Sequence, residues 1–459
     1  CIVCFGHELP SPSSEKAQKP LDVLHGALRR RALADVNDLS SILSSKHAIY
    51  PLKMFQALLL SFSAVAAFNP SRFIPLVPIG NSLVTVVRPV VVAKENCLNR
   101  QINVVHMAAD FTQISNMFAT FSKVTAVLIL AVDVAKRFQK SVPKWLVGSE
   151  ASETAAVIRE LYGDAAYWPT PWLSGLLDGQ FQTIWYGLNP LSPECSFTED
   201  VWQTADGGTL GLAWVEVPSS MPDDAPIVLV LPGLCGSIKG TGETMRAMIA
   251  AGLRPVCLHA RGCGQPLTSP CFNLFGSTDD LREAVARILK AWVDVPLCIY
   301  SISAGTAFMV RYLGEEGANA PVLAGVANCP GYDIGVCMQR VGYLYDSGFY
   351  LGVLKRHWLS GPNGAVLQAA SPDLCKRMEE APDMHSFMVA AAPFAARTLA
   401  EANRSVDEIL NSGTIANAFA DFLSASNPMG VAHQIQVPAL ILNADNDPVC
   451  DVANTDENT

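Results

Sequence analysis

Positive charge is the scarce commodity in this chain. Lys and Arg number 32 against 42 Asp and Glu, the net charge is −10, and only 16% of positions are charged. A nucleic-acid surface needs the opposite balance, and the one tight basic cluster, Arg29-Arg30-Arg31, reads as a solvated patch. Metal-ligand spacing is missing as well. The thirteen cysteines are odd in number and scattered. Cys1-x-x-Cys4 has no second pair at zinc spacing, and Cys257, Cys263 and Cys271 are too irregularly spaced for a knuckle. Free buried thiols in a reducing compartment are expected instead. Long apolar runs are also absent. Phe73 to Ala93 is interrupted by Pro75, Pro78, Arg88 and Pro89, and Thr125 to Val132 is flanked by Lys123 and Asp133. Neither reaches the ~20 residues of a bilayer span. The second is expected as a buried helix or a hydrophobic, membrane-contacting surface segment. With half of its residues hydrophobic, the chain is no disordered polymer, and its 459 residues allow one to three domains.

What is present is organised around Pro296 to Met309. Leu297 to Tyr300 has the length and flanks of a buried strand. Ser301-Ile302-Ser303-Ala304-Gly305 turns sharply, and Thr306 to Leu313 continues with Phe308, Met309 and Tyr312 at helical spacing. Strand, Ser-x-Ser-x-Gly, helix is close to the nucleophile elbow Gly-x-Ser-x-Gly, which lifts a serine hydroxyl out of a sheet and aims the next backbone N–H at the same point. Ser303 is the candidate nucleophile. A Ser/Gly-rich turn without chemistry is the alternative for this stretch taken alone.

The surroundings favour the elbow. Leu210 to Val217 alternates as an antiparallel strand after the turn Asp206-Gly207-Gly208. Ile227–Leu231, Arg254–Leu258, Val322–Ala327 and Val437–Asn443 are further strands separated by helical stretches. One of these helices runs to Trp292, with Ser277 as N-cap and Asp279 and Asp280 at its positive end. Strand and helix alternate, which predicts an α/β fold with a mostly parallel sheet. Serine-based ester hydrolysis needs a nucleophile, a base, a group that orients the base, and oxyanion donors. Ala304 N–H follows the nucleophile, and Leu234 N–H, at the strand end Pro232-Gly233-Leu234, is the natural second donor. Such donors contribute roughly 3–4 kcal/mol each to the transition state. Asn443-Ala444-Asp445-Asn446-Asp447-Pro448-Val449 ends an apolar strand after the elbow and offers two acids, Asp447 and Asp445, either of which could be only a turn former. No metal or organic cofactor is needed for this chemistry.

The eight histidines are His7, His25, His47, His106, His259, His357, His385 and His433, and none follows Asp447. In this type of fold the base lies after the last strand. The expectation is a base and a last strand beyond Thr459, or an inactive homologue. His259 ends a strand near the site but precedes the elbow, and it reads as a supporting or structural residue.

Several pieces together resemble one branch of the α/β-hydrolase superfamily, the esterase/lipase group that contains animal α/β-hydrolase-domain phospholipases, plant embryogenesis-associated proteins and yeast medium-chain ethyl-ester synthases. They are Trp172-Leu173 with Gln182-Thr183, Asp206-Gly207-Gly208-Thr209, Leu231-Pro232-Gly233-Leu234-x-Gly236, Arg254-Pro255-Val256, Arg261-Gly262-Cys263-Gly264, Thr278-Asp279-Asp280-Leu281, Tyr312-Leu313-Gly314-Glu315-x-Gly317, and Val437-Pro438 through Asp447-Pro448. The resemblance covers about residues 165–450. It implies an α/β-hydrolase fold with a helical cap, here without its C-terminal strand and histidine loop. It also implies a serine hydrolase cleaving carboxylic acyl esters through an acyl-enzyme, of short- or medium-chain esterase, acylglycerol lipase or phospholipase type. Asp447 is the preferred acid because Asp-Pro-Val matches the acid loop of many hydrolases of this fold. The group also contains acyltransferases, and a catalytically dead binding protein is the remaining class. The family usually has Gly-x-Ser-x-Gly-Gly; Ser301 replaces its first glycine and Thr306 its last.

The expected organisation is an N-terminal extension at 1–53, a targeting or membrane-associated region at 54–150, and the hydrolase domain at 151–459 with its cap at about 331–430. Lys53 followed by residues 54–67 supplies the basic lead, apolar core and small-residue end of a secretory signal. Ala67-Phe68-Asn69-Pro70 resembles the bipartite plastid presequences of algae with complex plastids. Expected partners are a small acyl ester or lipid, with membrane association and without nucleic acid. Phe349, Tyr350, Leu351, Leu354, Trp358, Met384, Phe387 and Met388 are candidates to line an acyl pocket, with core packing as the default.

Overall fold

The computed structural model describes residues 2–5, 120–135 except 129, 133 and 134, 145–147, 179, 180, 183, and 195–450 except 276, 332 and 396–414. The signal-like stretch 54–67, the apolar stretch 73–93, a short helix expected at 155–161 and the aromatic run at 167–173 lie outside the described residues.

The described strands, in chain order, are β1 (Ile2–Phe5), β2 (Trp145–Val147), β3 (Phe197–Gln203), β4 (Thr209–Val215), β5 (Ile227–Leu231), β6 (Arg254–His259), β7 (Leu297–Ile302), β8 (Ala324–Asn328) and β9 (Ala439–Leu442). They form one sheet in the order β2-β1-β9-β8-β7-β5-β6-β4-β3. β3 and β4 are an antiparallel hairpin closed at Asp206-Gly207-Gly208, where Thr204 N–H donates to the Gly208 carbonyl at 2.8 Å. β4 is antiparallel to β6. From β6 through β5, β7 and β8 to β9 every pairing is parallel, as the alternation of strands and helices predicts.

β5 shows why the sheet is central. Its sequence, Ile-Val-Leu-Val-Leu, is apolar throughout and buried throughout, the pattern of a strand covered on both faces. Side chains alternate across a strand. Ile227, Leu229 and Leu231 pack with Leu281, Val285 and Ile288 of α2 (Asp279–Ala291) and with Met309 and Leu313 of α3 (Ala304–Glu316). Val228 and Val230 pack on the opposite face with Met245 and Met248 of α1 (Gly242–Ala250). Burying each such side chain stabilises the fold by roughly 1.5–3 kcal/mol. The expected N-cap of α2 is corrected. Thr278, not Ser277, occupies the cap position, and its hydroxyl donates to Glu315 Oε2 at 2.5 Å instead of capping.

Between β8 and β9 the chain builds a helical layer. It comprises α4 (Ile334–Arg340), a π-helical turn (Leu344–Tyr350), α5 (Leu351–Leu359), α6 (Gly361–Ala370), α7 (Pro372–Glu380), α8 (Met384–Ala391) and α9 (Ile415–Ser426). Its core includes Leu354, Leu367, Met378 and Phe387, and Trp358 stacks on Phe272 at 4.1 Å between ring centroids.

The far side of β9 is not bare. β1 pairs with it antiparallel, Ile2 opposite Leu442 and Phe5 opposite Ala439, and β2 pairs parallel to β1. This is the edge at which the resemblance expects a further strand.

The chain divides into two compact units, 1–33 with 137–459, and 34–136. In the second, residues 120–128, 130–132 and 135 are helical, with Phe121, Val124 and Val127 exposed. Among the described residues no helix is long and apolar enough to cross a membrane.

Candidate active site

β5 lies between β6 and β7, so the chain leaves it in one direction and later returns on its other side. Ligands bind outside the carboxyl ends of strands at such a reversal. Here those ends carry Pro232-Gly233-Leu234 and Ser303.

Ser303 sits between β7 and α3 with φ 50° and ψ −119°, in a region that non-glycine residues rarely enter. Of four non-glycine residues with positive φ among the described residues, three end adjacent strands around this point: Cys235 (φ 55°) after β5, Ser303 after β7 and Cys329 (φ 48°) after β8. Such conformations cost on the order of 1–3 kcal/mol each and persist only when their surroundings hold them. Ser303 is held by hydrogen bonds. Its N–H donates to the Asn328 carbonyl at 2.9 Å. Its carbonyl accepts from Thr306 N–H at 2.9 Å and from Thr306 Oγ1 at 2.6 Å.

The two departures from a glycine-only elbow are therefore accommodated. Thr306 is buried and braces the turn with its hydroxyl. Ser301 is fully buried, and its Oγ donates to the Val326 carbonyl at 3.0 Å and faces Met309 Sδ at 3.4 Å. Gly305 is the position that tolerates no side chain, since a Cβ there would lie 2.5 Å from the Pro232 carbonyl oxygen.

The loop after β5 lies against the serine. A Cβ built on Gly233 would be 3.4 Å from Ser303 Cβ and 3.9 Å from Ser303 Oγ. Leu234, Ser303 and Ala304 line one apolar cavity of about 60 Å³, together with Ile334, Met338 and Met384 among others. Of the expected acyl-pocket residues, Tyr350 and Met384 reach this cavity. Leu351, Leu354, Trp358, Phe387 and Met388 are buried in the core of the helical layer, and Phe349 is exposed.

The structure separates the two candidate acids. Asp445 is exposed. Asp447 is half-buried, and its Oδ1 accepts from Val449 N–H and Cys450 N–H, both at 2.9 Å. Between the elbow and the acid loop sits Cys329. Burial pushes its thiol up to about 11, a hydrogen bond from Ser303 N–H opposes that rise, and the charge of Asp447 adds to it. Tyr350 is pushed up to about 12 by burial, with Asp447 again among the contributing charges. The Cys450 thiol lies well above its ordinary range through its hydrogen bond with Cys337 and through burial, and Cys235 does so through burial. Burial thus disfavours the thiolate form of each of these cysteines.

Sequence reasoning missed Cys329 as part of this site. The signal was weak, an Asn-Cys-Pro strand end with nothing to mark its left-handed backbone. Among the described histidines, His259 pairs with Glu199, His357 lies 3.6 Å from Cys263, His385 packs edge-on against Phe419, and His433 is exposed. No hydrogen bond among the described residues joins a histidine to Ser303 or Asp447.

Three of the stretches that carry the family resemblance meet elsewhere. The buried Arg261 guanidinium donates to Asp206 Oδ2 at 2.5 Å through Nη1, to Asp280 Oδ1 at 2.8 Å through Nη2, and to both Asp280 oxygens through Nε at 3.1 and 3.0 Å. Burial opposes the Arg261 charge, but Asp280 and Asp206 outweigh it and raise its pKa above the ordinary value. Burial opposes the Asp206 charge too, yet the hydrogen bonds from Arg261 and Thr204 hold its pKa below the ordinary value. This cluster ties the β3–β4 turn to the loop after β6 and the start of α2.

Residues 222–458 match a family model described as serine aminopeptidase, S33. Human phospholipase ABHD3 is 26% identical over 182 residues, 38% of this chain and 44% of that protein. Medium-chain fatty acid ethyl ester synthase/esterase 2 of Saccharomyces cerevisiae is 25% identical over 246 residues, 49% of this chain and 52% of that protein. The chain thus spans about half or less of the length of these curated relatives. Among solved structures, the Pyrococcus furiosus esterase Pf2001 is similar at 14% identity with a TM-score of 0.33, covering 57% of this chain and 75% of that one. With the strand order, the elbow and a family match over more than half of its length, the chain belongs to the serine aminopeptidase S33 family of α/β-hydrolases.

Proposed function

We propose that this chain carries the catalytic fold of a serine hydrolase that cleaves carboxylic acyl esters through an acyl-enzyme. The observation that carries the reading is Ser303, held in a strained left-handed turn against an apolar cavity. In this reading Ser303 Oγ attacks the ester carbonyl, the Leu234 and Ala304 N–H groups hold the oxyanion, and Asp447 orients the base. The base is a histidine other than His259, His357, His385 and His433. The alcohol leaves, and water attacks the acyl-serine to release the acid.

The cavity's volume of about 60 Å³ is far below the several hundred Å³ of a pocket that encloses a drug-sized ligand. Its apolar lining and its size favour short or medium acyl chains over long ones. The yeast relative's name couples synthesis and hydrolysis of ethyl esters. Acyl transfer to an alcohol in place of water is the corresponding second reading for this chain, on the same acyl-enzyme.

The test is labelling of the full-length protein by a fluorophosphonate, which phosphonylates activated serines. Label on Ser303 that disappears in Ser303→Ala is the expected result. A protein that takes no label, or a label that survives Ser303→Ala, removes the proposal.

A further inference from the structure

The loop from Pro232 to Ser237 carries the expected donor Leu234, but its own hydrogen bonds are local. Gly236 N–H donates to the Gly233 carbonyl at 2.9 Å and Lys239 N–H to Ser237 Oγ at 3.4 Å. The backbone is tied to the sheet one residue later. Ile238 N–H donates to His259 Nε2 at 3.1 Å, and the Ile238 carbonyl accepts from Thr241 N–H at 3.1 Å and from Thr241 Oγ1 at 2.7 Å. His259 ends β6 and is 3% exposed. Its Nδ1 lies 2.6 Å from Glu199 Oε1 on β3, and Glu199 Oε2 accepts from Gln265 Nε2 at 2.9 Å.

A nitrogen that accepts the Ile238 N–H carries no proton, so this geometry selects the tautomer with its N–H at Nδ1, directed at Glu199. Space for the pair is cleared by two glycines. A Cβ on Gly211 would lie 2.6 Å from Glu199 Oε1, and a Cβ on Gly264 would overlap His259 Nδ1. A carboxylate, a histidine and a backbone N–H in series, walled by glycines, form a strut from the sheet edge to the loop.

We infer that His259 is a positioning residue for the oxyanion loop. Glu199 fixes its tautomer, and its Nε2 acceptor holds Ile238, and through Ile238 the loop that presents Leu234 N–H to Ser303. The inference rests on the proposed ester hydrolysis at Ser303. His259 touches no substrate; it acts by fixing where the donor points. Sequence reading placed His259 near the site as a supporting residue, but Glu199 and Ile238 were not visible as its partners.

The two ring nitrogens can be separated by substitution. Glutamine places a carbonyl oxygen near the position of Nε2, whereas asparagine places an amide near Nδ1. In the full-length protein, His259→Gln is expected to keep the rate of fluorophosphonate labelling at Ser303 within about threefold of wild type. His259→Asn and His259→Leu are expected to slow it by roughly 10- to 100-fold, less than the 10²–10³ reported for deleting an oxyanion donor outright. With an ester substrate the loss should fall on kcat and leave KM nearly unchanged, because the oxyanion forms after binding. Equal labelling of all variants, or equal losses in the Gln and Asn variants, overturns the inference.

A measurement on wild type needs no variant to fold. Nitrogen-15 spectra of histidine-labelled protein should show His259 protonated on Nδ1 and bare on Nε2, and the opposite tautomer overturns the inference. Wild type that takes no label refutes the hydrolase reading itself, an outcome distinct from labelled wild type whose variants react normally.

Discussion

Two polar centres lie at the same end of the sheet and are built on opposite terms. At Arg261 every charge has a partner: the guanidinium is satisfied by Asp206 and Asp280, and all three side chains are nearly inaccessible. At Ser303 the backbone is strained and the side chain lines a cavity. The Arg261 centre is assembled wholly from stretches that carry the family resemblance, and the Ser303 centre joins two of them, at Leu234 and Asp447, to the elbow. The first closes its valences and holds the β3–β4 turn against the loop after β6; the second sets the Ser303 side chain, the nucleophile of the proposed reading, at a cavity. Motif residues therefore fall into a group that builds the fold and a group available for chemistry, and placement in a closed cluster or at a cavity tells them apart.

Substitutions should split along that line. The largest effect is expected at the acid. Asp447→Asn should lower ester turnover or fluorophosphonate labelling by roughly 10²–10⁴-fold, as loss of the orienting carboxylate does in serine hydrolases, with little change in melting temperature. Asp445→Asn, at an exposed position, should stay near wild type. If the two variants lose activity equally, the assignment of Asp447 fails.

Next comes the closed centre. Arg261→Met leaves two buried carboxylates without a cation and should destabilise the fold by about 3–5 kcal/mol, read as a drop in the urea midpoint. Equal stability of this variant and wild type would mean that the cluster is not the anchor described. Thr306→Val removes the hydroxyl bond to the Ser303 carbonyl and keeps the N–H bond. About 1 kcal/mol of stability should be lost, together with a modest fall in labelling as the elbow relaxes. A variant that loses stability alone would assign Thr306 to the fold and not to the site.

The smallest and most diffuse effect is with pH. Asp206 and Glu315 have carboxyl groups held below their ordinary values. Burial opposes the charge in both, Arg261 and Thr204 overcome it at Asp206, and Thr278, Arg282 and Arg311 overcome it at Glu315. The unfolded chain therefore binds protons first as pH falls. The stability from these groups is complete above the ordinary carboxylate range and is lost as pH drops through their lowered folded values. Chemical denaturation between neutral and strongly acidic pH should show this slope, and it should be shallower in Asp206→Asn.

Much of the fold was legible because its signals are local. An all-apolar pentapeptide such as Ile227–Leu231 can be buried on both faces only inside a layered sheet. An Asp-Gly-Gly turn between alternating stretches makes a hairpin, and a small-residue turn between strand and helix makes an elbow. The candidates Ser303, Leu234 and Ala304 come from signals of this kind, since each follows a strand end. The N-cap of α2 was misread by one residue because the Thr278 hydroxyl is drawn away by Glu315, 37 positions distant. The acyl-pocket candidates were read too broadly because apolar side chains in a helical layer give the same signal whether they face a cavity or one another.

The sequence by itself determined the strand order's raw material, the elbow, the loop opposite it and the pair of acids from which one had to be chosen, because those depend on propensity and spacing along the chain. Tertiary structure decided the rest. It joined Arg261 to Asp206 and Asp280, set Cys329 between Ser303 and Asp447, left Asp445 in solvent, placed β1 against β9, and put His259 between Glu199 and Ile238. The physical reason is the same in each case. A buried polar group must find a partner, and a partner contributed by another strand or loop is chosen by packing across the fold, where sequence separation carries no information.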